Sequence, residues 1–317
     1  MSRDSSSAYD RGAAPADRGT LVAFVLMVLF AGGNAVAVRL SNSALPPFWG
    51  AAMRSAAAAL VFWVIVVLRQ IALPRGRALV GAVLYGLIAV GAAYAFLYWG
   101  LLRVPASLGS PILALVPLMT LFFAWAHGLE ELRWRGVVGA LIAIAGVLIG
   151  VVGGLGSAVH APSFLALVAG TACFAEAAVV FKLFPQSHPL VTNAVAFTTG
   201  TPLLVVVSRL AGEPWSLPNT GSTWAVFAYL VLIGSVVVFY LYLHVLSRWT
   251  ASATSYSFLL MPVTTVVMAA WLLGEVVTIS FVIGAVLALA GVWMGAIQSS
   301  PKVAELTCSP TASKAIC

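Results

Sequence analysis

The sequence predicts an all-α membrane protein of ten transmembrane helices, arranged as two inverted five-helix repeats. Three observations lead to this fold class. The chain is too apolar to cover its surface with polar groups, its apolar residues fall into ten runs of bilayer length, and one stretch of about 48 residues occurs twice.

The composition excludes a soluble globular protein. Of the 317 residues, 62% are hydrophobic and 8% are charged, whereas soluble domains carry about 25% charged residues. A net charge of +7 would suggest nucleic acid as a partner of a soluble chain. Here the basic residues are spread over short loops, so we exclude nucleic acid. The three cysteines show no metal or disulfide spacing, and no cofactor or metal is expected.

Ten apolar runs account for most of the chain. A helix needs about 20 residues to cross a hydrocarbon core of about 30 Å. We predict spans at 20–41, 48–69, 78–101, 105–128, 134–153, 162–184, 190–210, 223–246, 250–273 and 277–297. The first five form one repeat, 20–153, and the last five form the other, 162–297. Residues 1–19 are expected to be a disordered cytoplasmic tail, and 298–317 a cytoplasmic C-terminal tail.

The internal repeat is the strongest signal in the sequence. Residues 103–150 align with 248–295 at a constant offset of 145, and about 17 of the 48 positions are identical. These identities include prolines, glycines and charged residues, which shared apolar composition supplies poorly. The opening helices of the two halves align more weakly at an offset of 143, as when Pro46 aligns with Pro189.

The distribution of basic residues predicts the orientation. With a cytoplasmic N-terminus, 12 of the 16 Lys and Arg residues lie on the cytoplasmic side, three lie at outer ends and Arg54 lies within a span. Because basic loops are retained in the cytoplasm, both termini are predicted to be cytoplasmic. Five spans are an odd number, so the second repeat enters the membrane from the opposite side. Inverted repeats are an architecture of secondary transporters, which alternate access to a site near the midplane.

The motifs of the two halves resemble the drug/metabolite transporter superfamily in its EamA-type branch. The resemblance covers about residues 20–297 and shows in "AGGNAVAVRL", in "LPPFWGAAMRSAAAAL", and in "SPILALVPLMTLFFAWAHGLEEL" with its second copy "YSFLLMPVTTVVMAAWLLGE". It implies two inverted EamA repeats in the cell membrane, with a central cavity lined largely by helices 1, 3, 4, 6, 8 and 9. It also implies export of small metabolites, amino acids among them. The usual aromatic residue before glycine in helix 1 is replaced by Ala31 and Gly32.

Two ionisable residues lie inside predicted spans. Glu176 is roughly 21 Å into helix 6, where a carboxylate costs several kcal/mol unless it is protonated, paired or hydrated. It is therefore a candidate for binding a substrate amine or for proton coupling, and a structural partnership with Arg54 is the alternative. Arg54 lies about 10 Å from the outer face, at a different depth, and the resemblance favours a structural or gating role over substrate contact.

Polar and aromatic side chains within the spans are the other candidates for the cavity. Hydroxyl, amide and ring groups can bind and stack on a small substrate, while packing and interfacial positions are the alternatives. These candidates are Asn34, Tyr94, Tyr98, Ser110, Tyr240 and Tyr256. Pro117 and Pro262 lie near the middle of equivalent spans and are either hinges for alternating access or fixed kinks.

These features predict a secondary transporter, and the resemblance implies in particular an exporter of amino acids or related amine-bearing or aromatic compounds. It would be driven by the substrate gradient or by proton exchange, since no GxxxxGK loop for ATP is present. The expected partners are a small-molecule substrate and membrane lipids, and protons are a further partner under the alternative of proton exchange. The alternatives are a polytopic membrane enzyme acting on a lipid-linked substrate and a passive channel. An enzyme needs convergent ionisable groups, whereas the four histidines are scattered, so no enzyme is expected.

Overall fold

The protein is a bundle of membrane-length helices in a computed structural model. The structure describes residues 18–103, 112–113, 115–131, 134–152, 160–261, 263–265, 279, 283–284, 286–287, 290–291 and 294. The predicted tails, apart from Arg18 and Gly19, lie outside this part of the chain, as do Ser110 and Pro262.

Nine helices carry the described fold. They are α1 Arg18–Ala44, α2 Pro47–Leu68, α3 Arg77–Gly100, α4 Val116–Ala126, α5 Trp134–Val152, α6 Ala161–Leu183, α7 Pro189–Leu210, α8 Gly221–Arg248 and α9 Ala251–Ser255. Residues 257–261 and 263–265 continue beyond α9 as helix, and those described between 283 and 294 are also helical. Within the described residues no strand occurs.

Six of these helices are long and apolar enough to cross a membrane, namely α1, α2, α3, α6, α7 and α8. Their lengths of 22 to 28 residues correspond to roughly 33 to 42 Å at 1.5 Å per residue. They confirm a multi-pass membrane fold. The fourth, ninth and tenth predicted spans are only partly described.

Sequence signals at the helix ends explain where several spans begin. Pro47 and Pro189 occupy the first turn of α2 and α7, where the missing N–H costs no hydrogen bond. Thr220 and Thr250 accept hydrogen bonds from the backbone N–H of Thr223 and Ala253, so each caps the N-terminus of its helix. The ends of the six membrane-length helices lie within three residues of the predicted ones.

Helix packing follows the internal repeat. Helix α3 packs along its length against α6, and α8 packs in the same way against α1. Since α8 is the repeat equivalent of α3, and α1 is the equivalent of α6, the second contact is the counterpart of the first. The pair α2 with α7 joins equivalent helices, and the pair α4 with α9 joins segments of the fourth and ninth predicted spans, which are also equivalent. A twofold axis in the membrane plane relates one pair of helices to its counterpart and maps a pair of equivalent helices onto itself. Both kinds of contact occur here. The repeats are inverted, because the end of α7 meets the start of α2 and the end of α4 meets the start of α9, so the paired helices run in opposite directions.

A π-helical segment occurs in the same helix of both repeats. It spans Leu87–Ala92 in α3 and Leu230–Val237 in α8. The first residues of the two segments are 143 apart and the last are 145 apart. The change of repeat offset seen in the sequence therefore coincides with the π-helical segment, which is two residues longer in α8. Such insertions rotate the later residues of the helix about its axis.

Contacts between helix ends define two faces of the bundle. Face I is the face at which α1 begins, and it contains Glu130 after α4 and Ser252 in α9. Glu130 accepts hydrogen bonds from the backbone N–H of Ser252, at 3.2 Å, and from its hydroxyl. Face II is the opposite face, where Glu213 accepts from the backbone N–H of Phe48 and Trp49 at 3.1 and 2.8 Å. Both glutamates thus join one repeat to the other.

Candidate functional site: a cavity between the two repeats

A cavity of about 140 Å³ lies between the repeats. Its walls come from α1, α2, α3, α6 and α8 and from helical residues beyond α9, so both repeats contribute. It runs from the middle of the bundle to Leu101, which directly follows α3 at face II. The lining is mostly apolar, and its polar side chains are those of Asn34, Arg54, Tyr85, Tyr94, Tyr98, Tyr242 and Thr265.

Arg54 is the only charged residue among the described residues that line the cavity. Its side chain is 3% exposed, and Nε donates to Ser235 Oγ at 2.7 Å while Nη1 donates to Tyr98 Oη at 3.1 Å. The guanidinium also lies over the ring of Tyr94, 5.1 Å from its centroid, a cation–π arrangement. These partners are neutral, and within the described part of the chain no carboxylate pairs with Arg54. The cavity therefore has positive charge.

Asn34 lies beside Arg54 because two helices approach closely here. Its Nδ2 donates to the carbonyl of Gly234 at 3.3 Å, which ties α1 to the π-helical segment of α8. A Cβ on residue 234 would overlap Asn34 Oδ1 and would lie 3.0 Å from Arg54 Nη2, so glycine is required for this contact. Asn34 Oδ1 is buried and accepts no hydrogen bond from any described residue. It is an acceptor available to a ligand.

Aromatic rings form the wall facing these polar groups. Tyr94 packs edge-on against Phe174 and Phe239, with centroids 6.3 and 6.0 Å apart, and Phe258 lies 5.8 Å from Phe174 and 6.1 Å from Tyr242. The hydroxyl of Tyr242 is buried without a described hydrogen-bond partner. The cavity thus pairs one cationic and amide end with an aromatic wall, which suits a small ligand with a polar head and an apolar body.

The structure brings four of the residues singled out in the sequence into one place. Asn34, Arg54, Tyr94 and Tyr98 all line the cavity. For Arg54 the observed partners are Ser235 and Tyr98, and the alternative pairing of Arg54 with Glu176 is not formed.

Glu176 lies outside the described lining of the cavity. Its Oε1 is 3.4 Å from His127 Nε2, and its side chain is 28% exposed. His127 immediately follows α4, so Glu176 bridges α6 to α4 towards face I. The depth expected from the helix rise agrees with this position, but the side chain is on a different side of the helix from the cavity, which helix length alone does not reveal.

Tyr256, Tyr240 and Pro117 also lie outside the described lining. Tyr256 Oη donates to the carbonyl of Gly136 at 3.3 Å and so packs the chain after α9 against α5. Tyr240 packs on His244 of the same helix, with centroids 5.9 Å apart. Pro117 sits in the first turn of α4, which begins at Val116 after a turn at Leu115.

The sequence interpretation identified Tyr94 and Tyr98 but missed other aromatic members of the cavity. Phe239 and Tyr242 line it, and Tyr240 between them does not. The π-helical segment Leu230–Val237 changes the rotation of the residues that follow it in α8 relative to a regular α-helix, so span length and depth alone do not give the face on which these rings lie. The change in repeat offset from 143 to 145 was the available signal that one of these helices contains extra residues.

Comparison with known proteins gives one family. The model of the EamA-like transporter family matches residues 18–152 and again 161–296. The chain is 27% identical to the uncharacterized inner membrane transporter YedA of Escherichia coli (strain K12), over 80% of this chain and 82% of that protein. It is 27% identical to the uncharacterized transporter YyaM of Bacillus subtilis (strain 168), over 83% and 89%.

A third relative has a named substrate. A probable terminal-alkyne amino-acid exporter of Streptantibioticus cattleyicolor is 29% identical over 70% of this chain and 74% of its own. A solved crystal structure with 22% sequence identity superposes with a TM-score of 0.73 and covers 88% of this chain and 97% of the other. That likeness concerns the fold alone.

Proposed function

The chain belongs to the EamA-like transporter family, and from this premise we propose that it exports small metabolites by alternating access. The family places it among membrane transporters of small molecules and not among membrane enzymes. The substrates we propose are amino acids or related amine-bearing or aromatic compounds. The transport step is driven by the substrate gradient or by proton exchange, with face I in the cytoplasm.

One observation carries this proposal: both repeats line a single cavity that joins a buried cation to an aromatic wall. A site at the interface of inverted repeats is where rocking of one repeat against the other alternates access. The hydrogen bonds of Glu130 to Ser252 hold the repeats together at face I, while the cavity reaches Leu101 at face II. The similarity to the probable terminal-alkyne amino-acid exporter of Streptantibioticus cattleyicolor supports an amino-acid substrate.

The test is uptake by the purified full-length protein in liposomes. Radiolabelled amino acids and the corresponding amines are supplied outside, with and without unlabelled compound preloaded inside. A carrier that alternates access gives saturable uptake that preloading accelerates, whereas a passive channel gives no such acceleration. Tyr94→Ala should reduce this uptake, and Leu60→Ala, at a residue 67% exposed on α2, should not. Absence of saturable uptake across the panel would overturn the proposal.

Proton coupling is tested in the same liposomes with opposed pH on the two sides. Glu176 is the candidate, and its contact with His127 places such a coupling site apart from the described cavity wall. Under coupling by Glu176, uptake of wild type responds to the pH gradient and uptake of Glu176→Gln does not. An equal response of both proteins would exclude Glu176 as the coupling residue.

A further inference from the structure

We propose that Arg54 and Asn34 form a subsite for the head group of a free α-amino acid. This proposal rests on the proposed transport function. The Arg54 guanidinium binds the α-carboxylate, Asn34 Oδ1 accepts a hydrogen bond from the α-ammonium, and the amino-acid side chain lies among the aromatic rings. This narrows the substrate class from amines and aromatic compounds in general to zwitterions with apolar side chains.

The positive charge of Arg54 is unbalanced in the described part of the chain. A guanidinium that is 3% exposed inside an apolar bundle is costly unless an anion pairs with it. Three of the four glutamates in the described chain are engaged elsewhere, Glu130 by Ser252, Glu176 by His127 and Glu213 by the start of α2. The fourth, Glu131, is exposed. A carboxylate on the substrate would supply the missing charge.

The geometry of the guanidinium leaves room for that carboxylate. Arginine has five N–H donors in a planar fork. The two hydrogen bonds that Arg54 makes to described residues use Nε and one N–H of Nη1. The Nη2 amino group and the second N–H of Nη1 remain, and this pair is the edge that binds a carboxylate with two parallel hydrogen bonds. Ser235 and Tyr98 hold the fork in place.

Asn34 provides the complementary acceptor. Its Oδ1 is buried without a described partner, and a buried polar atom costs free energy unless a donor satisfies it. Asn34 Oδ1 and Arg54 Nη2 both lie within 3.0 Å of where a Cβ on Gly234 would be. A donor and an acceptor this close match the ammonium and carboxylate of one α-amino acid, which are attached to the same carbon.

The remainder of the cavity selects the side chain. Phe174, Phe239 and Phe258 provide an apolar wall without described acids, so a second cation on the substrate would be unpaired there. A volume of about 140 Å³ corresponds to about ten water molecules at roughly 10 to 15 Å³ each, which is the scale of one amino acid. Apolar and aromatic amino acids therefore fit, and peptides and nucleotides do not.

The test measures binding by full-length protein in lipid nanodiscs. Radiolabelled L-phenylalanine and L-leucine are the probes, and the competitors are L-phenylalanine, its amide, phenethylamine and 3-phenylpropionate. We expect a carboxylate-free competitor to bind roughly tenfold or more weakly than L-phenylalanine, because it loses charge-assisted hydrogen bonds to Arg54. 3-Phenylpropionate, which lacks the ammonium, should lose less affinity.

The variants separate recognition from folding. Arg54→Gln should weaken L-phenylalanine binding roughly tenfold or more and should not weaken phenethylamine binding, because a cationic ligand gains nothing from Arg54, while Arg54→Lys, which keeps the charge, should retain part of the affinity. Retained affinity for phenethylamine is itself the control for folding. Equal binding of phenethylamine and L-phenylalanine by wild type, equal loss of both in Arg54→Gln, or failure of both probes to bind would overturn the subsite. Uptake of any compound in liposomes would still support the transport function, so the two failures are distinguishable.

Discussion

At the scale of single residues, the cavity is dominated by a cation with neutral partners. Arg54 is held by two hydroxyl groups and one aromatic face, and these contacts only partly replace the water that a guanidinium loses on burial. The free protein therefore carries an electrostatic cost at this point that an anion would remove. A carboxylate introduced next to Arg54 should have the same effect as a bound substrate.

The substitution Asn34→Asp places that carboxylate in the cavity. We expect an internal ion pair with Arg54 that raises the melting temperature and weakens binding of L-phenylalanine by roughly tenfold or more, because both carboxylates compete for one guanidinium. Asn34→Leu is the matched control, since it removes the acceptor without adding charge and should not raise the melting temperature. Thermal unfolding and binding in nanodiscs measure both effects, and a lower melting temperature for Asn34→Asp than for Asn34→Leu would contradict the prediction.

At the scale of helices, Glu213 fixes the start of α2 and therefore the position of Arg54. Its carboxylate accepts from two N–H groups in the first turn of α2 and from Ser208 Oγ at 2.8 Å, so it satisfies donors that have no partner within the helix. Trp49 also donates to the carbonyl of Ser216 at 2.7 Å and stacks on Trp215 at 4.5 Å. The loop after α7 thus anchors α2.

Glu213→Gln should destabilise this anchor by about 1–2 kcal/mol, because the neutral amide offers one acceptor where the carboxylate offers two charged ones. The melting temperature of the purified protein measures the loss, with a decrease of a few degrees expected. Glu131→Gln, which changes an exposed glutamate, is the control and should melt like wild type. Indistinguishable melting of the two variants would show that the anchor contributes no stability.

Helix existence was predictable from the sequence, whereas the face of a helix was not. Apolar run length placed the ends of the long spans within three residues of the observed ones, and the prolines Pro47 and Pro189 lie at two of the observed starts. Those signals depend only on the local chain and on bilayer thickness. Which of Phe239, Tyr240 and Tyr242 line the cavity depends on the rotation of α8 about its axis after its π-helical segment, and Phe239 and Tyr242 are the two among the described lining residues. Glu176 likewise has the expected depth, but a partner from another helix determines its surroundings.

The pair Tyr240 and Tyr242 tests this register directly. Tyr242→Ala should weaken binding of L-phenylalanine about tenfold, because it removes ring contact and a hydroxyl from the cavity wall, and tenfold corresponds to about 1.4 kcal/mol. Tyr240→Ala should leave binding unchanged, since that ring packs on His244 outside the described lining. Competition binding of both variants is the measurement. A larger loss of affinity in Tyr240→Ala than in Tyr242→Ala would show that α8 presents Tyr240, and not Tyr242, to the ligand.

At the scale of the whole molecule, the inverted repeats contact each other through equivalent spans. At face I, hydrogen bonds join the end of α4 to the start of α9. Glu130 extends from the end of α4 to the start of α9 and receives two donors of Ser252. The cavity lies on the other side of this contact, towards face II. Under the proposed alternating access, a conformation open to face I requires separation of α4 from α9, and these hydrogen bonds would then stabilise the closed arrangement over the open one.

Glu130→Gln should therefore shift the equilibrium towards access from face I, because it weakens both hydrogen bonds to Ser252. A single reporter cysteine at Met27, which lines the cavity and is 0% exposed, can be introduced after replacing Cys173, Cys308 and Cys317 by serine. We expect a membrane-impermeant thiol reagent supplied at face I to label this cysteine several times faster in Glu130→Gln than in the parent protein. Glu131→Gln is the control at the neighbouring exposed position and should label like the parent. Equal labelling rates for Glu130→Gln and the parent would show that closure at face I does not depend on this contact, and that the packing of α4 against α9 is sufficient to maintain it.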